Sequence, residues 1–367
     1  MKRIQNFEVI LDADDVLLDC NRYALNLLSQ ADGVPYSIDR VTDWGLLGIP
    51  EDRRLDFLNR RDFYQNQPPL PGAREFLHNL MQICNVTIMT AVYPQFMGER
   101  IQRISTLFPE FPMENIIMGK RKEMLTADVI LDDGIHNLLH TGSTLPVLFR
   151  QPWNRHVSGI CSVNYYNEFL SLIQIMTGNR RDKSRVPKVI CIVGPSGSGK
   201  HELSDELCTS DSFVRIRTCT TALHAGKNTT LRAEEFEEKA RSGFFLETTY
   251  YCQERYGLPL ADIENALSSG KHAVAVMDIS GCMAVQNRYP GQNLIIYTDR
   301  NKRDCIASIL DKSGLKSEHA VDRILSFDFE EKNKILADEI VTISGDNSFT
   351  QAAERIRSVL EEIPKDT

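Results

Sequence analysis

The residues with the clearest chemical potential are Val189-Ile190-Cys191-Ile192-Val193-Gly194-Pro195-Ser196-Gly197-Ser198-Gly199-Lys200-His201. A run of β-formers ends at Gly194, the glycine-rich segment closes on Gly199-Lys200, and Glu202 to Leu207 reads as helix. A strand, a G-x-x-x-x-G-K turn and a helix form a cradle for phosphate: backbone N–H groups turn inward, and the lysine and helix N-terminus add positive charge. The expected phosphate site is Gly194, Pro195, Ser196, Gly197, Ser198, Gly199, Lys200 and His201. His201 stands where a Ser or Thr hydroxyl ordinarily holds Mg²⁺. The alternative, a glycine-rich turn with no ligand, is disfavoured because strand, spacing and lysine agree.

A second group lies near the start. Phe7 to Leu11 reads as a buried strand ending in Asp12-Ala13-Asp14-Asp15. Alternate residues of an extended chain share a face, so Asp12 and Asp14 meet at the carboxyl end of the strand, where open α/β sheets bind ligands. Two such carboxylates need a cation or a proton between them; an Asp-rich turn and helix cap is the competing reading. Later segments favour chemistry. Val86-Thr87-Ile88-Met89 ends at Thr90, and Lys122 precedes Val129-Ile130-Leu131, which ends in Asp132-Asp133. Val147-Leu148-Phe149 is followed by Gln151-Pro152-Trp153-Asn154.

These strands alternate with helical segments such as Ala73 to Gln82 and Phe96 to Leu107, the pattern of a parallel sheet with crossovers. At 367 residues, 42% apolar and 25% charged, the chain is long enough for two globular α/β domains. A net charge of −8 argues against a nucleic-acid coat. Nine scattered cysteines without a C-x-x-C pair read as buried thiols of a reducing compartment. No run approaches membrane-spanning length and no signal-like region opens the chain, so a cytoplasmic location is expected. The polar, basic run 177–187 reads as a linker between domains 1–176 and 188–367.

The ordered set Asp12-Ala13-Asp14-Asp15-Val16, Pro69-Leu70-Pro71-Gly72-Ala73, Lys122, Asp132-Asp133 and Pro152-Trp153-Asn154 resembles the 5′-deoxyribonucleotidase branch of the haloacid dehalogenase (HAD) phosphatases over roughly the first 170 residues. The resemblance implies a HAD-like Rossmannoid parallel sheet with a small helical cap at about 21–70. It implies Asp12 as the nucleophile forming an aspartyl-phosphate, Asp14 as general acid and base, and Thr90 and Lys122 as holders of the phosphoryl group. Mg²⁺ would be held by Asp12, the Asp14 carbonyl and Asp132, with Asp133 beside it. Asp15 departs from the family, which usually has Gly there. Within the cap, Phe63 and Tyr64 are expected to reach substrate, the alternative being the cap's own core.

From about Val189 to Leu360 the order of segments resembles guanylate kinase, a P-loop nucleoside monophosphate (NMP) kinase. The match rests on the Gly194–Lys200 loop, Thr220-Thr221, Glu234 to Lys239, Gly243 to Glu247, Tyr256-Gly257, and the strand ending at Asp278. It implies ATP as donor on Lys200, with Glu247, Tyr256, Asp278 and Arg323 on the acceptor side. The family's two acceptor arginines are replaced in Ala222-Leu223-His224-Ala225, leaving Arg215, Arg217, Lys227 or Arg232 to supply charge. The lid arginines are largely missing around Leu310–Gly314.

The resulting expectation is a bifunctional enzyme that hydrolyses (deoxy)nucleoside 5′-monophosphates with Mg²⁺ and phosphorylates a (deoxy)nucleoside monophosphate with ATP. Self-association is left open. The alternatives are end repair of nucleic acid, as in polynucleotide kinase–phosphatases, and a phosphatase carrying a non-catalytic nucleotide-binding module.

Overall fold

The computed structural model describes residues 6–177, 186–222, 228–251, 254–311, 317–345 and 348–363. The expected linker falls largely outside them, and Lys227 wholly so. The chain divides into two compact units, residues 1–155 with 162–170 and residues 156–161 with 171–367. Among the described residues no helix is long and apolar enough to cross a membrane. The described cysteines are free thiols, all buried except the half-buried Cys208.

The first unit is built on the strands β1 (Glu8–Asp12), β2 (Asn85–Thr90), β3 (Ile116–Met118), β4 (Val129–Asp132), β5 (Leu145–Phe149) and β6 (Cys161–Val163), in the order β3-β2-β1-β4-β5-β6. β1 pairs in parallel with β2 and β4, bringing Leu11 opposite Ile88 and Leu131. Continuous apolar runs suit this sheet because both of its faces are covered. Val9, Leu11 and Val129 to Leu131 are buried, each large side chain contributing about 1.5–3 kcal/mol. Helices α1 (Asn21–Asp32) and α2 (Arg61–Asn66), with 3₁₀ turns between them, form the expected helical insertion. α3 (Ala73–Met81), α4 (Met97–Leu107) and α5 (Ile135–Leu138) are the crossovers, and α6 (Tyr166–Met176) follows β6. The division between the compact units falls within α6.

The turn after Asp14 explains the departure at Asp15. Its φ is +53°, in the left-handed region a glycine would adopt freely. Asp tolerates that region better than most residues. Its carboxylate also accepts from the amides of Cys20 and Asn21 at 2.9 and 3.1 Å, covering the start of α1. The geometry of a glycine turn is kept, and a helix cap is added.

The second unit has a parallel sheet of β7 (Val189–Val193), β8 (Phe213–Arg215), β13 (His272–Val276), β14 (Asn293–Asp299) and β15 (Glu339–Thr342), in the order β15-β14-β7-β13-β8. A separate mixed sheet orders β9 (Cys219–Thr220), β10 (Thr229–Thr230), β11 (Phe245–Tyr251) and β12 (Glu254–Pro259) as β10-β9-β12-β11. β11 and β12 are antiparallel, with Thr249 opposite Tyr256. The helices are α7 (Lys200–Leu207), α8 (Ala233–Arg241), α9 (Leu260–Ser268), α10 (Ile279–Arg288), α11 (Lys302–Leu310), α12 (Ser317–Leu325), α13 (Phe327–Lys332) and α14 (Ser348–Glu362). Ile190, Leu203, Val274, Ile296 and Ile356 centre the core beneath the loop between β7 and α7.

Candidate active sites

Asp12, Thr90 and Asp132 are the last residues of three neighbouring strands, so sheet pairing alone brings them to one edge. Lys122 reaches between two of them. Its Nζ lies 2.8 Å from Asp12 Oδ1 and 2.6 Å from Asp132 Oδ2. Burial opposes the lysine's charge, but Asp12 and Asp132 outweigh it and raise its pKa above the ordinary value. The Ala13 amide also donates to Asp12 Oδ1, at 2.7 Å. Two donors thus hold Oδ1 and fix the carboxylate, while Oδ2 has no hydrogen bond among the described residues. The Thr90 hydroxyl is buried with no partner among the described residues.

Asp14 turns to a different pair. Arg100 Nη2 lies 2.9 Å from both of its carboxylate oxygens, and Gln67 Nε2 donates to Oδ1 at 2.8 Å. The Arg100 guanidinium is 1% exposed and lies 5.0 Å from the centre of the Tyr64 ring.

Asp133 is oriented by two indoles: Trp44 and Trp153 donate to its Oδ2 at 2.9 and 2.7 Å. Its Oδ1 is buried without a partner among the described residues. Asp12, Asp132 and Asp133 offer carboxylate oxygens that lie within 4.8 Å of one another. Burial, then the nearby acids, pushes Asp133 well above the usual carboxylate range. Asp12 is pushed up to about 7 by burial, with Lys122 opposing and Asp132 and Asp14 adding. A buried set of carboxylates with one orphaned oxygen fits a hard divalent cation such as Mg²⁺. The Asp14 carboxylate lies outside that set, held by Arg100 and Gln67.

In the second unit the loop from Gly194 to Lys200 curls over the end of β7. Gly197 has φ +82°, and a Cβ there would fall 2.4 Å from the Cys305 carbonyl oxygen. At Gly199 a Cβ would fall 2.6 Å from the Phe349 ring. Only glycine fits either position. Lys200 Nζ donates to the carbonyls of Gly194 and Pro195 at 2.5 and 2.8 Å. Ser198 bonds Thr298 through their hydroxyls, and Arg300 donates to the Gly197 carbonyl.

His201 does not replace the missing hydroxyl as a cation ligand. Arg215 Nη2 lies 2.9 Å from His201 Nδ1 and also pairs with Asp205. A guanidinium only donates, so Nδ1 is the acceptor and the ring's proton sits on Nε2. Neither ring nitrogen then has a lone pair to give to Mg²⁺. Arg215 is correspondingly engaged here, while Arg217 and Arg232 are exposed.

The family described as "5' nucleotidase, deoxy (Pyrimidine), cytosolic type C protein" matches residues 6–179. A 5'(3')-deoxyribonucleotidase of Bacillus subtilis is 25% identical over 170 residues, covering 44% of this chain and 94% of that protein. For the rest of the chain, a guanylate kinase of Chlamydia felis is 34% identical over 119 residues, 30% of this chain and 58% of its own length. That of Desulfitobacterium hafniense is 25% identical over 179 residues, covering 47% of this chain and 88% of that protein. The chain thus spans little more than half of the first of these guanylate kinases. It joins a deoxynucleotidase-like domain to a guanylate kinase-like domain.

In the deoxynucleotidase-like half, Asp12, Lys122, Asp132 and Asp133 gather at one edge of the sheet. Phe63 and Tyr64, expected to meet substrate, instead pack in the cap's own core with Leu25, Leu28 and Phe96. Tyr64 spends its hydroxyl on the Leu58 carbonyl at 2.9 Å, so the apolar interior claims both rings. Arg100 and Gln67 escaped the sequence reading because neither lies in a motif.

In the guanylate kinase-like half, Asp278 caps α10 by accepting from the Gly281 amide at 2.8 Å and also accepts from Thr249. Glu247 Oε1 lies against Gly281, where a Cβ would be 3.2 Å away. Tyr256 and Arg323 both face Tyr251: the two tyrosine rings are 6.4 Å apart, and the Arg323 guanidinium lies 5.7 Å from the Tyr251 ring. Tyr251 in turn meets the Ser196 hydroxyl at 2.7 Å. The sequence reading passed over Tyr251, which links the small sheet to the glycine-rich loop.

Proposed function

We propose that the deoxynucleotidase-like half hydrolyses (deoxy)nucleoside monophosphates by covalent catalysis on Asp12. The observation that carries this reading is the Lys122 ammonium bound to both Asp12 and Asp132, beside an Asp133 oxygen with no partner among the described residues. Asp12 Oδ2 attacks phosphorus as the bond to the leaving oxygen breaks, and Asp14 delivers the proton that oxygen requires. Asp14 then takes a proton from water as it attacks the aspartyl-phosphate, releasing inorganic phosphate and restoring Asp12. Lys122 and Thr90 hold the phosphoryl oxygens. Asp12, Asp132, Asp133 and the Asp14 carbonyl would hold Mg²⁺, which supplies positive charge against the phosphoryl oxygens. Asp12→Asn is expected to abolish phosphate release with the melting temperature little changed; undiminished release would remove the assignment.

The guanylate kinase-like half is assigned ATP-dependent phosphorylation of a nucleoside monophosphate, with Lys200 on the donor phosphates and Glu247, Tyr256, Asp278 and Arg323 toward the acceptor. Positioning and charge neutralisation supply the catalysis. Lys200→Ala is expected to abolish diphosphate formation across a panel of ribo- and deoxymonophosphates. The tie between Arg215 and His201 favours a second reading, in which this half binds nucleotide without transferring phosphate. ATP binding with no diphosphate from any monophosphate would select it.

A further inference from the structure

The glycine-rich loop already meets an anion supplied by the protein. Glu330, on α13, accepts from the Ser196 amide through Oε2 at 2.9 Å. Its Oε1 accepts from the hydroxyls of Tyr251 and Ser326 at 3.0 and 3.2 Å. The side chain is buried, and burial pushes its carboxyl up even though Lys200 and these donors pull it down. Ser196 is the third residue of a loop whose amides are built to face phosphate oxygens. Among the described residues, no acceptor meets the amides of Gly197 and Gly199. Lys200, the loop's cation, donates to the loop's own carbonyls.

A carboxylate among buried donors and a polyphosphate on the same donors are mutually exclusive: one amide hydrogen serves one anion well, and two anions so close repel in a poorly solvated site. We propose that Glu330 is an internal competitor for the donor phosphate, closing the nucleotide-free loop and giving up the Ser196 amide when a polyphosphate arrives. The inference rests on reading this loop as the donor site. Displacement would also take one acceptor from the Tyr251 hydroxyl on β11, the strand that carries Glu247, and leave its bond to Ser196 in place.

The test is calorimetric titration of the full-length protein with ATP and with inorganic tripolyphosphate, which reports the phosphate cradle without base recognition. Glu330→Gln removes the charge and keeps the shape; it is expected to bind tripolyphosphate about 10-fold more tightly or better, the scale of one charge-assisted hydrogen bond. Ser326→Ala removes one donor holding the carboxylate and is expected to tighten binding by a smaller factor, which keeps the test open should Glu330→Gln not fold. Lys200→Ala should abolish binding in every background. Unchanged or weaker binding in Glu330→Gln and Ser326→Ala, with Lys200→Ala inactive, overturns the competitor role and leaves the donor site standing. Binding that survives Lys200→Ala, or no binding by any variant, overturns the donor site and the competitor with it.

Discussion

Arg100 meets Asp14 through a single nitrogen, Nη2, which lies 2.9 Å from both oxygens of the carboxylate. The group assigned to acid–base work is therefore set in place by a buried cation from α4. Arg100→Met is expected to lower kcat for monophosphate hydrolysis by about 10²-fold, the lower end of what a positioned acid contributes. The same change in an Asp14→Asn background should cost little more, because the two residues act as a unit. Steady-state assays on the four proteins decide; independent, multiplicative losses would separate Arg100 from Asp14.

The left-handed turn at Asp15 separates backbone strain from capping. Asp15→Gly relieves the conformation and loses the cap, a cost of about 1 kcal/mol. Asp15→Ala loses the cap and also holds a Cβ at φ +53°, which adds about 1–2 kcal/mol. Urea titration should therefore rank Asp15→Gly above Asp15→Ala. Equal stability of the two variants would show that the turn relaxes.

Trp153 aims Asp133 by donating to one oxygen, and the other, buried and without a partner among the described residues, is the one proposed to meet the cation. Partners of this kind typically govern metal affinity by about 10–100-fold. Trp153→Phe should raise the Mg²⁺ concentration for half-maximal hydrolysis by about 10-fold while leaving kcat at saturating Mg²⁺ near wild type. A fall in kcat with no change in Mg²⁺ demand would contradict the role.

His272 offers a pH signature of the guanylate kinase-like half. Its Nδ1 accepts from the Lys188 amide at 3.0 Å, and burial followed by the Lys188 charge holds its pKa below the ordinary 6.5. The unfolded chain therefore binds the proton first. The histidine's contribution is fully present above pH 6.5 and is lost as pH falls toward the folded-state value. Thermal midpoints of this half should drop on acidification below that pH, and His272→Asn should flatten the drop. An identical slope in the variant would assign the acid sensitivity elsewhere.

What was legible in the sequence was what strand ends and tight turns encode. Asp12, Thr90 and Asp132 were readable because continuous apolar runs end on them. The tight turn between β7 and α7 was readable because Gly197 and Gly199 occupy positions no other residue can fill. Partners supplied from distant elements were not readable. Arg100 stands 86 residues from Asp14 and looks like any charged position on a helix. Glu330 lies in the run Asp328 to Glu331, which reads as a solvated face, yet it points inward. The antiparallel pairing of β11 with β12 was missed as well, because a parallel pattern dominates the rest of the chain. Phe63 and Tyr64 erred the other way, since an aromatic near an active site reads as a ligand platform until packing shows it enclosed.

Asp12, Thr90 and Asp132 close adjacent strands in fixed register, and this limits how the domain can change in length. One residue inserted or deleted between Val9 and Leu11 would rotate Asp12 to the opposite face of the sheet while Lys122 stayed where it is. Insertions ahead of Glu8 or between Asn21 and Leu70 leave that alignment untouched. Evolutionary variation in size should therefore accumulate in the cap and at the amino ends of the strands, and tandem-residue scanning would find the carboxyl ends intolerant.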